Sequence, residues 1–355
     1  MARITLQELR HSYLAHPQSE QDWALKRLDI EWTDGGAYAL LGPSGCGKTT
    51  LLNIISGLVR PTEGRVLFDD VDLTNVPTDR RHIAQVFQFP VVYDTMSVYD
   101  NLAFPLRNRR VPEAEVRATV LEIAHMLDLQ DMLRMRAARL TADGKQKISL
   151  GRGLVRADVN AIMFDEPLTV IDPHLKWQLR SKLKELHQRI ARTMIYVTHD
   201  QTEALTFADK VVVMHDGMVV QIGTPIELFE RPRHTFVGHF IGSPGMNVLP
   251  CTVEDDKAML GGQPVAVQNP AKAALDGRRL ELGVRPEFVA FAAAGLPVAV
   301  VKVSDAGRYR IVETRHGTDR INLLVDPDVA VPGEGAHLRF DPAYTRLYAD
   351  GWLVE

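Results

Sequence analysis

Apolar and polar residues alternate over residues 4–13 and again over 24–32, the period of strands with one buried face. Ala37-Tyr38-Ala39-Leu40-Leu41 is a short apolar run that reads as a further strand, and residues 48–58 read as a helix. The alternation of strand and helix predicts an α/β core. Beyond Gln88 the pattern changes. Val116, Val120, Ile123, Ala124 and Leu127 recur at helical spacing within 113–129 and strand-like runs are lacking, so a helical insertion is expected over about 89–157. Strand runs return at 161–164 and 193–197. Between them residues 175–190 predict an amphipathic helix with Pro173 just inside its start. Residues 211–222 predict a hairpin turned at Asp216-Gly217.

A second regime begins near residue 236. From 247 onward, short β-rich runs at 280–284, 298–303 and 308–314 are broken by Gly, Pro and Asp, the pattern of a small all-β barrel or sandwich. A chain of 355 residues exceeds one compact core, and the expected division is 1–236 and 237–355. The net charge of -4 carries no basic footprint and argues against a nucleic-acid partner. Cys46 and Cys251 lie far apart, which argues against a disulfide framework and for a reducing compartment. No apolar run is long enough to span a bilayer, and the N-terminus opens on strand-like alternation without a signal-peptide core. A role at a membrane is therefore expected to come through a partner.

Chemistry enters at Gly42-Pro43-Ser44-Gly45-Cys46-Gly47-Lys48-Thr49-Thr50, which fits the G-x-x-x-x-G-K-[ST] phosphate loop without mismatch. Glycines let successive backbone N–H groups turn inward onto phosphates, the lysine reaches the β- and γ-phosphates, and the Thr49 hydroxyl can sit on Mg²⁺. The flanking strand and helix would bring phosphate to a positive helix end. Ala161-Ile162-Met163-Phe164-Asp165-Glu166 is an apolar strand ending in two acids. A buried parallel strand delivers such residues to the ligand crevice. Asp165 is expected in the Mg²⁺ shell and Glu166 to polarise the attacking water. His199 and Gln88 end two further strand runs and are expected at the same place, His199 against the γ-phosphate.

Together these residues resemble the ATP-binding cassette family, specifically the ATPase subunits of bacterial carbohydrate and polyol importers. The resemblance implies a P-loop ATPase core with a helical subdomain and a C-terminal OB-like regulatory domain of the TOBE type. Residues 42–49 match the Walker A loop, 162–166 the Walker B strand, Gln88 the Q-loop, with a place on Mg²⁺, and His199 the switch histidine. Residues 168–172 stand at the D-loop, and Tyr13 at the aromatic that stacks on adenine. Asn101-Leu102-Ala103-Phe104-Pro105-Leu106 and Gly283-Val284-Arg285-Pro286-Glu287 are similar to phrases of the same subgroup. The resemblance implies ATP and Mg²⁺ as cofactors and transmembrane permeases as partners. It also implies a solute-binding protein acting indirectly and a peripheral place on the cytoplasmic face of the inner membrane.

One motif departs from the family. Its LSGGQ signature, which binds the γ-phosphate held by the opposite subunit of a head-to-tail dimer, is Leu140-Thr141-Ala142-Asp143-Gly144 here. Two readings of Asp143 stand open. A carboxylate about 4 Å from a phosphate charge costs roughly 4 kcal/mol at an effective dielectric of about 20. Alternatively, Asp143 is an N-cap whose capping box is closed by Gln146. Either spoils the signature while the residues acting in cis remain, so a heterodimer with a second, non-identical ATPase is expected, as in glycerol importers, with a homodimer as the alternative. A non-hydrolysing regulatory cassette, and an importer ATPase for another small solute, are the competing functions.

Overall fold

The computed structural model describes residues 2–156, 158–254, 257–269, 277–333 and 335–355. The chain divides into two compact units, Met1–Pro225 and Ile226–Glu355. A boundary at 236 would cut the helix Thr235–Phe240. It would also part Arg285 from the carbonyls of Leu228 and Phe229, to which that buried guanidinium donates along with those of Gly238 and Ile241. This bonding gives the 283–287 phrase a structural meaning within the second unit. Burial lowers the Arg285 pKa to about 10, so the group stays a cation and a donor.

In the first unit the alternating segments form β1 (Ile4–His11) and β2 (Leu25–Trp32), which pair antiparallel. With β4 (Glu63–Phe68) and β5 (Val71–Asp72) they make a four-stranded sheet ordered β2-β1-β4-β5. The second sheet holds β3 (Ala37–Leu41), β6 (Ile83–Val86), β7 (Ala161–Asp165), β8 (Thr193–Thr198), β9 (Lys210–His215) and β10 (Met218–Gly223), in the order β10-β9-β3-β8-β7-β6. All its pairs are parallel except β9–β10. Every residue of β3, β7 and β8 is buried, as parallel strands covered on both faces require. Asp216 and Gly217 both take positive φ in the β9–β10 turn, the backbone a two-residue hairpin of matching twist needs.

Helices α1 (Lys48–Ser56), α5 (Pro173–Ile190) and α6 (Gln201–Phe207) complete this core. α2 (Val98–Arg107), α3 (Glu113–Met126) and α4 (Ala142–Leu154) fill the interval between β6 and β7. α1 ends at Gly57 with φ 81°, and the fully buried Arg81 guanidinium donates to the carbonyls of Ile54, Ile55, Thr74 and Val76. Arg81 thus supplies the Ile55 carbonyl at the helix end and adds to the Gly57 N–H on the Ile54 carbonyl. Replacing Arg81 with Met should destabilise the chain by about 3–5 kcal/mol, because several buried acceptors lose their donor together. Denaturant unfolding of the full chain measures this.

The second unit is β-rich. Its largest sheet orders Val289–Ala292, Ala336–Phe340, Leu296–Asp305, Arg310–His316 and Asp319–Val325. A second sheet orders Asn247–Pro250, Leu280–Val284, Arg346–Ala349 and Trp352–Leu353, and both contribute to one apolar core. Cys46 and Cys251 are free thiols, and burial pushes Cys251 up to about 12. No helix among the described residues is long and apolar enough to cross a membrane.

Candidate functional site

Strand register assembles the site. Leu41 stands beside Thr198, Asp165 beside Val197 and Val86 beside Phe164. Four strand ends are therefore level, and the residues that follow them (Gly42, Gln88 after Phe87, Glu166 and His199) gather at one carboxyl edge of the sheet, where open α/β sheets bind ligands.

The loop from Gly42 to Thr50 runs from β3 into α1, with Gly47 as the N-cap at φ 99°. A Cβ there would lie 2.6 Å from Leu25 Cδ2 and 2.7 Å from the Ala24 carbonyl, and one at Gly42 would lie 2.3 Å from the Met214 carbonyl. Only glycine fits either place. Ser44, Gly45 and Cys46 form the turn between them, and the buried Lys48 folds along it, its Nζ donating to the Gly42 and Pro43 carbonyls at 2.7 and 2.9 Å. Thr49 Oγ1 donates to Asp165 Oδ1 at 3.2 Å. Burial raises the Asp165 pKa; the Thr49 hydrogen bond opposes this, the Glu166 charge adds to it, and Lys48 counters.

Glu166 is the most constrained residue of the group. Its φ is 45°, a left-handed conformation that costs a non-glycine residue about 1–3 kcal/mol and is concentrated at functional sites. Its N–H is held by the Val197 carbonyl at 2.9 Å. Its Oε2 lies 3.1 Å from His199 Nδ1, and both Gln88 Nε2 and Thr169 Oγ1 approach it at 3.5 Å. The acid, the histidine and the glutamine expected from three separate strand ends thus meet at one carboxylate oxygen. Thr169, in the 168–172 turn, is a contact the sequence reading missed.

Tyr13 lies past the end of β1 rather than within it, largely exposed, its hydroxyl 3.0 Å from Thr50 Oγ1 and its ring edge-on to His11. The strand ends at His11 because Ser12 turns inward, its hydroxyl donating to the Asp22 carbonyl.

The signature segment corrects one expectation. Asp143 is not the N-cap of α4: Thr141 is, and its hydroxyl accepts from the Gly144 N–H at 3.3 Å. Gln146 cannot close a capping box, since it is buried and donates to the carbonyls of Phe87 and Pro167. Asp143 sits inside the first turn, with Oδ2 3.8 Å from Lys147 Nζ and a buried Oδ1 that lacks a partner.

A phosphate loop, two strand-end acids and a strand-end histidine at one sheet edge define a P-loop ATPase. Residues 25–169 match the ABC transporter family model, and residues 242–289 match the MalK OB fold domain. The chain is 38% identical over 319 residues to the sn-glycerol-3-phosphate import ATP-binding protein UgpC of Bordetella avium, covering 89% of this chain and 87% of that protein. It is 40% identical over 291 residues to UgpC of Psychromonas ingrahamii, covering 81% and 75%. Among solved structures, cbiO1 of Clostridium perfringens, part of the ABC transporter complex cbiONQ, aligns with TM-score 0.58 at 27% identity, over 64% of this chain and 90% of that one. An ATP-binding cassette solved as a dimer in a post-hydrolysis state with ADP and Pi aligns with TM-score 0.56 at 26% identity, over 62% and 98%. The chain belongs to the ABC transporter family: it binds ATP and is an ATPase coupled to solute transport.

Proposed function

We propose that this chain is the ATP-hydrolysing subunit of a carbohydrate or polyol importer and that it works beside a second, non-identical ATPase. The observation carrying this reading is an asymmetry. The groups that act in cis (Lys48, Thr49, Asp165, Glu166, Gln88 and His199) converge at one sheet edge, whereas the segment that would serve the opposite subunit carries Asp143. The names of the relatives favour a small polyol or its phosphate, glycerol included, as cargo. Permeases would receive the motion of the ATPase pair and a solute-binding protein would deliver the cargo, with the chain peripheral on the cytoplasmic face. The β-rich C-terminal part, 237–355 in the sequence reading, would be regulatory.

Within the site, the inward N–H groups of 42–50 and Lys48 would hold the phosphates, and Tyr13 would stack on adenine. The Thr49 hydroxyl, the Asp165 carboxylate and the Gln88 amide oxygen are hard oxygen donors of the kind Mg²⁺ prefers, and the first two already touch. Mg²⁺ held there would neutralise phosphate charge. Glu166 would accept the proton of the attacking water while His199 orients its carboxylate.

Lys147 offsets Asp143 only in part, at 3.8 Å and with one carboxylate oxygen unpartnered. Asp143→Gly should therefore raise ATP hydrolysis by a dimer of this chain alone by about tenfold, against an upper bound of about three decades from the Coulomb cost. In a mixed dimer with a cassette ATPase whose signature is intact, the wild-type chain should hydrolyse ATP at its own loop, and Asp143→Gly should change little. A wild-type homodimer as active as the mixed dimer would overturn the pairing.

A further inference from the structure

Glu203, on α6, is a buried acid outside the site just described, and its partners come from two elements that frame the site. Its Oε2 accepts from Thr198 Oγ1 at 2.9 Å and from Tyr196 Oη at 3.1 Å. Both residues lie on β8, the strand that His199 follows. Its Oε1 faces Lys176 Nζ at 3.7 Å. Lys176 lies in the first turn of α5, whose N-cap Asp172 closes the 168–172 turn that brings Thr169 to Glu166. Thr198 Oγ1 also accepts the Asp200 N–H, so the backbone on both sides of His199 is held by one hydroxyl.

We propose that Glu203 is a positioning residue for ATP hydrolysis: one carboxylate that fixes the strand end carrying His199 to the helix leaving the 168–172 turn. A buried charge needs a reason beyond packing, because apolar residues of like volume often serve stability as well or better. The reason here is bonding pattern. Tyr196 is fully buried, and burial and the Glu203 charge both keep its phenol protonated. Two hydroxyl donors therefore meet one oxygen, and an ammonium meets the other. Glutamine cannot reproduce this set. With its carbonyl toward the hydroxyls, its NH₂ group faces the Lys176 ammonium, donor against donor. The link between β8 and α5 is then lost while side-chain volume is kept. A small displacement of His199 relative to Glu166 and Thr169 would follow, and displacements of this kind reduce turnover without weakening ground-state binding.

This inference rests on the reading of Glu166 and His199 as the hydrolytic pair, and its test separates the two. Turnover and nucleotide affinity are measured for the full-length chain assembled with its partner ATPase and permeases. Glu203→Gln should lower kcat about tenfold while the ATP Kd stays within about twofold. Lys176→Met keeps both hydroxyl contacts and removes only the ammonium, so it should lower kcat in the same way by a smaller factor. In a His199→Ala background Glu203→Gln should lower the residual rate by no more than about twofold, because residues acting through one another are not additive. A full tenfold loss in that background would show a structural role only, and an unchanged kcat in the single variant would equally overturn the proposal. Wild-type turnover in His199→Ala alone would instead sink the reading of the site. If melting shows Glu203→Gln to be unfolded, Lys176→Met in the two backgrounds gives the same decision.

Discussion

Lys48→Ala is expected to abolish transport by removing nucleotide binding. The ammonium is buried and spans the loop, donating to the Gly42 and Pro43 carbonyls. A unit charge about 4 Å from a phosphate charge is worth roughly 4 kcal/mol at an effective dielectric of about 20, close to three decades in affinity. Alanine removes that charge and leaves two loop carbonyls without their donor, so loop geometry suffers as well. Titration with a fluorescent ATP analogue should show affinity falling by about two to three decades, with the unfolding midpoint changed far less. Lys48→Arg should not rescue. The ammonium sits as a compact point charge between the Gly42 and Pro43 carbonyls, a place a wider planar guanidinium does not reproduce. Affinity within twofold of wild type for Lys48→Ala would mean that the phosphates lie elsewhere.

Much of this site is legible in sequence because parallel strands translate order along the chain into position in space. A strand buried on both faces is a continuous apolar run, and the polar residue that ends it falls at the carboxyl edge. Asp165 and His199 could be placed by that rule, whereas Gln88, two residues past a β6 that carries the half-buried Gln85, gained meaning only beside them. The Asp216-Gly217 turn was legible because few residue pairs tolerate two consecutive positive φ values. Other features depend on contacts that no local rule encodes. Both Thr141 and Asp143 are residue types that cap helices, and Gln146 stands where a box from Asp143 would close. What decides is the pull of two distant carbonyls, Phe87 and Pro167, on the Gln146 amide. Glu203 reads as an ordinary polar residue in a short helix, and its burial follows only from the packing of α6 against β8 and α5. The left-handed backbone at Glu166 is equally invisible, since glutamate has no preference for it and Pro167 restricts the preceding residue to extended conformations. Local rule and fold conflict there, as is expected of a functional position.

Glu166→Gln should separate binding from chemistry. The substitution keeps shape and volume at a residue whose backbone and side chain are held by Val197, His199, Gln88 and Thr169, so the fold should be unaffected. A positioned general base contributes about 10²–10⁴ to rate, and turnover should fall by that factor. ATP affinity should hold or rise, because one negative charge near the phosphates is gone. The pairing of effects is the decisive part. Lys48→Ala loses affinity and turnover together, whereas Glu166→Gln loses turnover alone and should leave the ATPase pair closed on bound ATP. A regulatory cassette that binds ATP without hydrolysing it predicts the opposite for transport: vesicles carrying Glu166→Gln would import solute at the wild-type rate. The contact between His199 and Glu166 argues for hydrolysis, since a cassette that only bound nucleotide would have no use for a strained acid held by three side chains. If Glu166→Gln leaves import undiminished, the partner's loop does the work and this chain supplies binding alone.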